Sequence, residues 1–279
     1  MPASYYPDWD SFSIASAAGD HPVAFCADLS PDSVLKAYKR GLIPLPAPDE
    51  YVRNINEFRY EDQVTAGLIG LVGSVDDDPY RVAWWSPDPR LVIEVGGIHL
   101  GRNVRKQLRR GMDWTTADRS FQWVAEECRA GREPRWLTDM LVGSLIELHR
   151  NGWAHSIEVW RDGKLVGGAL SIGIGCTLSG DSVFSRHPNA ARIAVADMAA
   201  RFAQAGGMLL DAQWDSPFLR SLGAEPMPRE HYLSLLARSG ERRALPGQPL
   251  PARRLMEPHP PGRDTAAGPS TTARSDESS

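Results

Sequence analysis

The chain has 279 residues, 42% of them hydrophobic and 24% charged, with a formal net charge of −4. That length suits one large or two modest domains of ordinary globular composition. The acidic balance excludes a globally basic nucleic-acid binder and confines any such contact to a local patch. No apolar run approaches the roughly 20 residues of a membrane span, and the first residues lack a basic segment followed by an apolar core, so a cytoplasmic protein away from the membrane is expected. Cys26, Cys128 and Cys176 are scattered and odd in number, and the seven histidines show no H-E-x-x-H spacing. Neither a disulfide framework nor a metal site is expected.

Residues 1–27 have weak periodicity and read as a loose leader. A helix follows, with Ser30 as its cap, Pro31 in its first turn, Leu35 and Tyr38 on one face, and Gly41 as its stop. Residues 49–78 are irregular in pattern. Trp84-Trp85 enters a Pro-rich turn, and Leu91 to Val95 reads as a strand. Helix is predicted from about Gly101 to Arg110, then a short strand near Trp114, then helices over 118–129 and 136–151. Ala154 to Trp160 alternates as a strand, Asp162-Gly163 is a hairpin turn, and Leu165 to Ile174 is the partner. Cys176 to Phe184 is a further strand, Ala190 to Ala205 a helix closed by Gly206-Gly207, Met208 to Gln213 a strand, and Arg229 to Arg238 a short final helix.

Paired strands, then a helix and another strand, indicate an α+β fold. The expected organisation is a small N-terminal α/β domain over 28–112 and a larger domain over 113–243 in a GNAT-type acyltransferase order. Residues 244–279, rich in Pro, Arg, Ser and Thr, read as a disordered tail.

Arg102, Arg105, Lys106, Arg109 and Arg110 place five positive charges within nine residues, four of them on one helical face. Phosphate binding would compensate their mutual repulsion, and a solvated helix face is the other reading. Trp84, Trp85 and Trp136 could stack on a base or fill a core. Gly167, Gly168, Gly173 and Gly175 lie within strands, where glycine marks close approach of a backbone or a ligand. Asp181 stands two residues before Val183 on one side of a strand, and Asp211 and Gln213 close the apolar strand Met208-Leu209-Leu210. Carboxylates at such strand ends are candidates for a raised pKa, for binding a substrate ammonium, or for a structural hydrogen bond.

Taken in order, these pieces resemble one family. The stretches Asp28-Leu29-Ser30-Pro31, Tyr38-Lys39-Arg40-Gly41, Trp84 to Arg90, His155 to Trp160, Leu165-Val166-Gly167-Gly168, Gly180 to Arg186, Leu210-Asp211-Ala212-Gln213 and Ser221-Leu222-Gly223-Ala224 resemble leucyl/phenylalanyl-tRNA–protein transferases. The resemblance runs from about Asp28 to about Leu236. It implies a larger GNAT-like domain, and transfer of Leu, Phe or Met from aminoacyl-tRNA to proteins beginning with Arg or Lys, which marks them for degradation by the N-end rule. It implies no metal or cofactor; a monomer is expected.

Residue by residue, the resemblance puts Asp211 and Gln213 on the catalytic pair and Trp136 on an aromatic that holds the terminal adenosine. Arg102, Arg105, Lys106, Arg109 and Arg110 fall in the tRNA-binding helix. Ala169, Asp181, Val183, Met198 and Leu210 fall on the amino-acid side-chain pocket. Departures are Asp181 for the usual Glu, Ala169 and Val183 where methionines are usual, Leu45 for an adenine-stacking Trp, and Phe218 for a His. The wider pocket predicts tolerance of Phe or larger side chains over Leu. Asp211, oriented through Gln213, is expected to orient the acceptor amine and take its proton. Rival readings are a tRNA-dependent peptidyltransferase with a different acceptor, a non-catalytic tRNA- or degron-binding protein, and an acetyl-CoA acetyltransferase, whose R/Q-x-x-G-x-G/A turn is not found in this sequence.

Overall fold

The computed structural model describes residues 7–73, 77–130, 135–237 and 241–257. In chain order its strands are β1 (Ala24–Cys26), β2 (Ile43–Pro46), β3 (Gly70–Val72), β4 (Val82–Trp85), β5 (Arg90–Glu94), β6 (Asp113–Ala117), β7 (Ala154–Arg161), β8 (Lys164–Ile174), β9 (Thr177–Ser185), β10 (Leu209–Gln213), β11 (Glu225–Met227) and β12 (Leu250–Pro251). Its helices are α1 (Pro31–Lys39), α2 (Glu50–Thr65), α3 (Arg102–Arg109), α4 (Phe121–Arg129), α5 (Asp139–Arg150), α6 (Ala190–Gln204), α7 (Pro217–Arg220) and α8 (Arg229–Ala237). Among the described residues the strands form a four-stranded sheet, β2-β4-β1-β3, and an eight-stranded sheet, β11-β5-β10-β9-β8-β7-β6-β12.

The local signals read from the sequence act where they were placed. Ser30 Oγ accepts from the Ser33 N–H and Pro31 opens α1. Asp162 and Gly163 both have positive φ, 50° and 72°, the conformation of a two-residue turn that suits the twist of β7 and β8. The central strands are buried on both faces. One face meets α4 and α5 through residues such as Val124, Leu145, Leu170 and Ile172. The other meets α3 and α6 through Val104, Leu108, Ile157, Ala169 and Ile193. The antiparallel run β7–β8–β9, followed by α6 and a β10 parallel to β9, is the α+β order expected of a GNAT-like domain.

Two of the strand glycines answer to packing. A Cβ on Gly167 would lie 2.5 Å from the Ala190 Cβ, and one on Gly168 would lie 2.7 Å from both the Ile157 carbonyl oxygen and the Phe184 ring. The close approach expected there is made by the protein's own backbone and side chains.

Several expectations are corrected. The described part of the leader is not loose: Trp9 and Ile14 are buried, the Trp9 indole donates to the Ser33 carbonyl at 3.1 Å, and β1 is a central strand. The stretch read as irregular over 49–78 contains α2, capped by Asp49 Oδ1, which accepts from the Val52 N–H at 2.9 Å. The boundary at 112 cuts through the larger sheet: β5 pairs with β10 and β11, and α3 packs on the same core as α6.

The opening of the supposed tail is folded too. Leu245, Ala252 and Leu255 are buried, and β12 pairs with the edge strand β6. Arg201 on α6 holds this strap. Its Nη2 donates to the Gln248 carbonyl at 3.0 Å, and its Nη1 donates to the Pro246 carbonyl. Asp197, fully buried, accepts from Arg201 Nε at 2.6 Å and lies 2.6 Å from Arg254 Nη2. Residues 258–279 of the expected tail lie outside the described residues.

Candidate active site

β9 and β10 pair only over Thr177–Ser179 and Leu209–Asp211, although β9 runs on to Ser185. Each strand carries a bulge where the pairing ends. In β9, Leu170 faces Ser182 and Ser171 faces Gly180, so Asp181 is the extra residue. In β10, Val92 faces Asp211 and Leu91 faces Gln213, so Ala212 is extra and Gln213 takes a positive φ of 64°. Bulges re-aim side chains and end pairing. The plain alternation expected between Asp181 and Val183 is therefore broken, yet both residues line the cavity that opens where the strands part.

That cavity, about 310 Å³, brings together Ala169, Asp181, Val183, Met198, Leu210, Asp211 and Gln213, all expected at one site. Its apolar wall is completed by Ile93, Val195, Trp214, Phe218 and Leu219. Phe218 carries the Arg192 guanidinium over its ring, 5.0 Å from the centroid.

The polar end is a hydrogen-bonded network. Asp211 is fully buried and accepts five donors. Its Oδ1 receives Arg90 Nε at 2.8 Å and the Gln213 N–H at 2.9 Å. Its Oδ2 receives Arg90 Nη2 at 2.6 Å, Ser179 Oγ at 2.9 Å and the Tyr232 hydroxyl at 2.9 Å. Gln213 Nε2 donates to Ser179 Oγ at 3.1 Å and to Asp181 Oδ1 at 3.0 Å. Tyr38 donates to the same Oδ1 at 2.6 Å, while Asp181 Oδ2 is buried with no hydrogen-bond partner.

These surroundings treat the two carboxylates differently. Burial pushes the Asp181 carboxyl up to about 7, against the hydrogen bonds from Tyr38 and Gln213 that favour its charged form. Burial, helped by the Asp181 charge, also holds the Tyr38 hydroxyl well above the usual phenol range, so Tyr38 stays a donor. Asp211 has no free acceptor position, whereas Asp181 has one.

Tyr38, Arg90, Ser179 and Tyr232 were not expected at the site from the sequence. Tyr38 and Arg90 lie in stretches that carry the family resemblance, but a partner 143 or 121 residues away leaves no local signal. The remaining expected residues lie elsewhere. Trp136 is half-buried against the core beside α5 and is not among the cavity's lining residues. Trp84 is a core residue: it is fully buried, donates to the Cys26 carbonyl at 2.9 Å and lies 4.7 Å from the Trp9 ring. On α3, Arg102, Arg105, Lys106 and Arg109 are all exposed, as is Arg110 at its C-terminal cap, while Val104 and Leu108 anchor the helix in the core. None of the five is in an ion pair among the described residues; Arg105 Nε donates to the Leu100 carbonyl at 2.9 Å.

Residues 92–237 match the family model described as leucyl/phenylalanyl-tRNA protein transferase. The chain is 34% identical over 232 residues to the leucyl/phenylalanyl-tRNA–protein transferase of Novosphingobium aromaticivorans, covering 82% of this chain and 77% of that one. It is 33% identical over 221 residues to the enzyme so named from Myxococcus xanthus, covering 78% and 82%. The one so named from Thiobacillus denitrificans is 32% identical over 248 residues, covering 88% and 94%. Among solved structures, a GCN5-related N-acetyltransferase from Kribbella flavida superposes with a TM-score of 0.29 at 16% identity, covering 50% of this chain and 55% of that one. The family match and the shared length of these relatives lead to one conclusion: the chain belongs to the leucyl/phenylalanyl-tRNA protein transferase family, a group of aminoacyltransferases.

Proposed function

We propose that the protein moves a leucyl, phenylalanyl or methionyl group from aminoacyl-tRNA to the α-amine of proteins beginning with Arg or Lys, marking them for degradation. The observation that carries this reading is the cavity at the parting of β9 and β10. Its wall is apolar and its inner end holds an unsatisfied carboxylate oxygen. An apolar pocket with a few convergent polar groups is the usual form of a small-ligand site, and here it suits an aminoacyl ester. The side chain would occupy the wall of Ala169, Val183, Met198 and Leu210, with the ester toward Asp181 and Gln213. The cations of α3 would hold the tRNA phosphates and Trp136 its terminal adenosine.

The reaction is aminolysis of an ester. The acceptor nitrogen attacks the carbonyl carbon, the bond to the ribose oxygen breaks, and the proton lost by nitrogen ends on that oxygen. An α-amine with a pKa near 7.7–8.0 is roughly a tenth neutral at pH 7, so a weak base suffices. A carboxylate near 7 matches that need. Asp181 is thus the better proton acceptor and carrier, and Asp211, expected in that part from the sequence, is a positioning residue. It fixes Gln213 through the Gln213 N–H and through Ser179. Placing amine against ester could supply about 7–11 kcal/mol in an ideal geometry.

Labelled phenylalanyl-tRNA, incubated with the full chain and a protein bearing an N-terminal Arg or Lys, tests the reading. Label should move to that N-terminus and not to an acetylated one. No transfer to either, by a folded sample, would reject it.

A further inference from the structure

Among the described residues, the charged side chains that line the cavity are three carboxylates, Asp181, Asp211 and Asp215, and no cationic side chain lines it. Asp211 is filled by its five donors, and Asp181 is buried with it. Asp215 is the one that solvent reaches, with its side chain 56% exposed. A guanidinium already sits on it. Arg220, at the end of α7, donates from Nε to Oδ1 and from Nη2 to Oδ2, both at 2.6 Å, the two-pronged fit of an arginine to a carboxylate. α7 is held without this clasp. Ser216 Oγ caps it by accepting from the Leu219 N–H at 3.2 Å, Pro217 opens it, and Phe218 and Leu219 pack against the core.

We propose that Asp215 is the seat for the side-chain cation of the acceptor's first residue, and that Arg220 occupies the seat until an acceptor Arg or Lys takes its place. The proposal rests on the function above. The acceptor's α-amine must meet the ester near Asp181 and Gln213. Asp215 lies two residues beyond Gln213, at most about 7 Å between Cα atoms, a span that one extended arginine or lysine side chain covers. The same residue can therefore present its amine to Asp181 and its cation to Asp215. The exchange costs little. Arg220 and Asp215 are both more than half exposed, so each is well solvated when apart and the pair contributes little to stability. An incoming guanidinium reproduces both hydrogen bonds of the outgoing one, whereas an ammonium restores the charge alone, which ranks Arg above Lys. A neutral first residue leaves Arg220 in place and gains nothing at this position.

Peptides that differ only in a first residue of Arg, Lys or citrulline, the neutral analogue of Arg, test this with labelled phenylalanyl-tRNA and the full chain. The wild-type chain should use the Arg peptide about fivefold better than the citrulline peptide, chiefly through KM, as expected of a partly solvated ion pair. Asp215→Asn should bring the Arg peptide down to the citrulline level and leave citrulline unmoved. Arg220→Gln should do the reverse: with the occupant gone, KM for the Arg peptide falls and its advantage widens. A clasp that only braces α7 would instead lower the melting temperature in both variants and weaken all three peptides alike, and that result would overturn the proposal. An Arg-to-citrulline ratio unchanged by Asp215→Asn would also overturn it, and would leave the proposed function standing. An unchanged KM in Arg220→Gln would overturn the exchange and keep Asp215 as the seat. No transfer by the wild-type chain to any of the peptides would reject the proposed function and the seat with it.

Discussion

Arg90 clasps Asp211 with two hydrogen bonds, Nε to Oδ1 at 2.8 Å and Nη2 to Oδ2 at 2.6 Å, with both side chains buried. Arg90 also donates to the Gly41 carbonyl at 3.0 Å and lies over the Tyr232 ring, 4.5 Å from its centroid. One pair thus joins β5, β10, the end of α1 and α8. Removing one partner strands the other charge in the interior, which costs roughly 3–5 kcal/mol. Asp211→Ala should therefore lose stability by about that amount in urea unfolding. Arg90→Ala should do likewise, and the double variant should lose less than the two singles together. Full additivity would show that the clasp is not a unit.

Asp181 predicts a pH dependence. Its carboxyl is raised to about 7, so it is mostly protonated below that pH and cannot take the amine's proton. Turnover should rise through pH 7 more steeply than the titration of the acceptor amine alone requires, and Asp181→Asn should leave only the amine's part of that rise and lower the rate about 10²-fold. The effect on stability has the opposite direction. Because the folded value exceeds the unfolded one, the folded state holds this proton more tightly. The stabilisation is complete below the ordinary carboxylate value and is lost as pH rises to about 7. Asp181→Asn should flatten that part of the stability curve. A wild-type-like pH profile in the Asn variant would remove Asp181 from the proton path.

The wall of the cavity predicts side-chain preference. With Ala169 and Val183 at its lining, phenylalanyl-tRNA should outcompete leucyl-tRNA. Val183→Met should narrow the space and shift the ratio of kcat/KM toward Leu by about tenfold, within the 1–3 kcal/mol that a methylene-sized change commands in an apolar pocket. Competition between the two charged tRNAs measures it, and an unmoved ratio would take Val183 out of the selectivity wall.

Gly168 predicts a packing cost. Two neighbours of an added methyl, the Ile157 carbonyl and the Phe184 ring, lie at 2.7 Å, and a third, the Val124 side chain, at 3.1 Å. Gly168→Ala should destabilise the chain by about 1–3 kcal/mol through strain. Gly163→Ala at the exposed hairpin, with its φ of 72°, tests backbone conformation instead, since a Cβ there meets nothing within 4 Å.

The elements that could be read in the sequence are those whose signals are local. Ser30-Pro31 announces α1, and Asp162-Gly163 announces the turn between β7 and β8. α2 was hidden because its larger apolar residues, Tyr51, Ile55 and Phe58, face solvent and only Tyr60 is buried, so no core stripe marks it. The strap was hidden because its composition resembles a tail. Its order comes from Arg201 and β6, far away in the chain. The cavity residues drawn from family resemblance converge on one site. The network around them was illegible because a carboxylate carries no sign of whether a distant arginine will occupy it. Asp181 and Asp211 look alike as letters, and only their partners divide the work between them.

The parting of β9 and β10 has a mechanical consequence. A pocket framed by loops can breathe as the loops move. This one is framed on one side by strands whose other edges are locked into β8 and β5, and closed on the other by α6 and by the segment from Trp214 to Leu219. The strand side, with Ala169, Val183 and Leu210, is held by the pleat of the sheet, so evolution can retune the occupant one residue at a time on that wall without disturbing the frame.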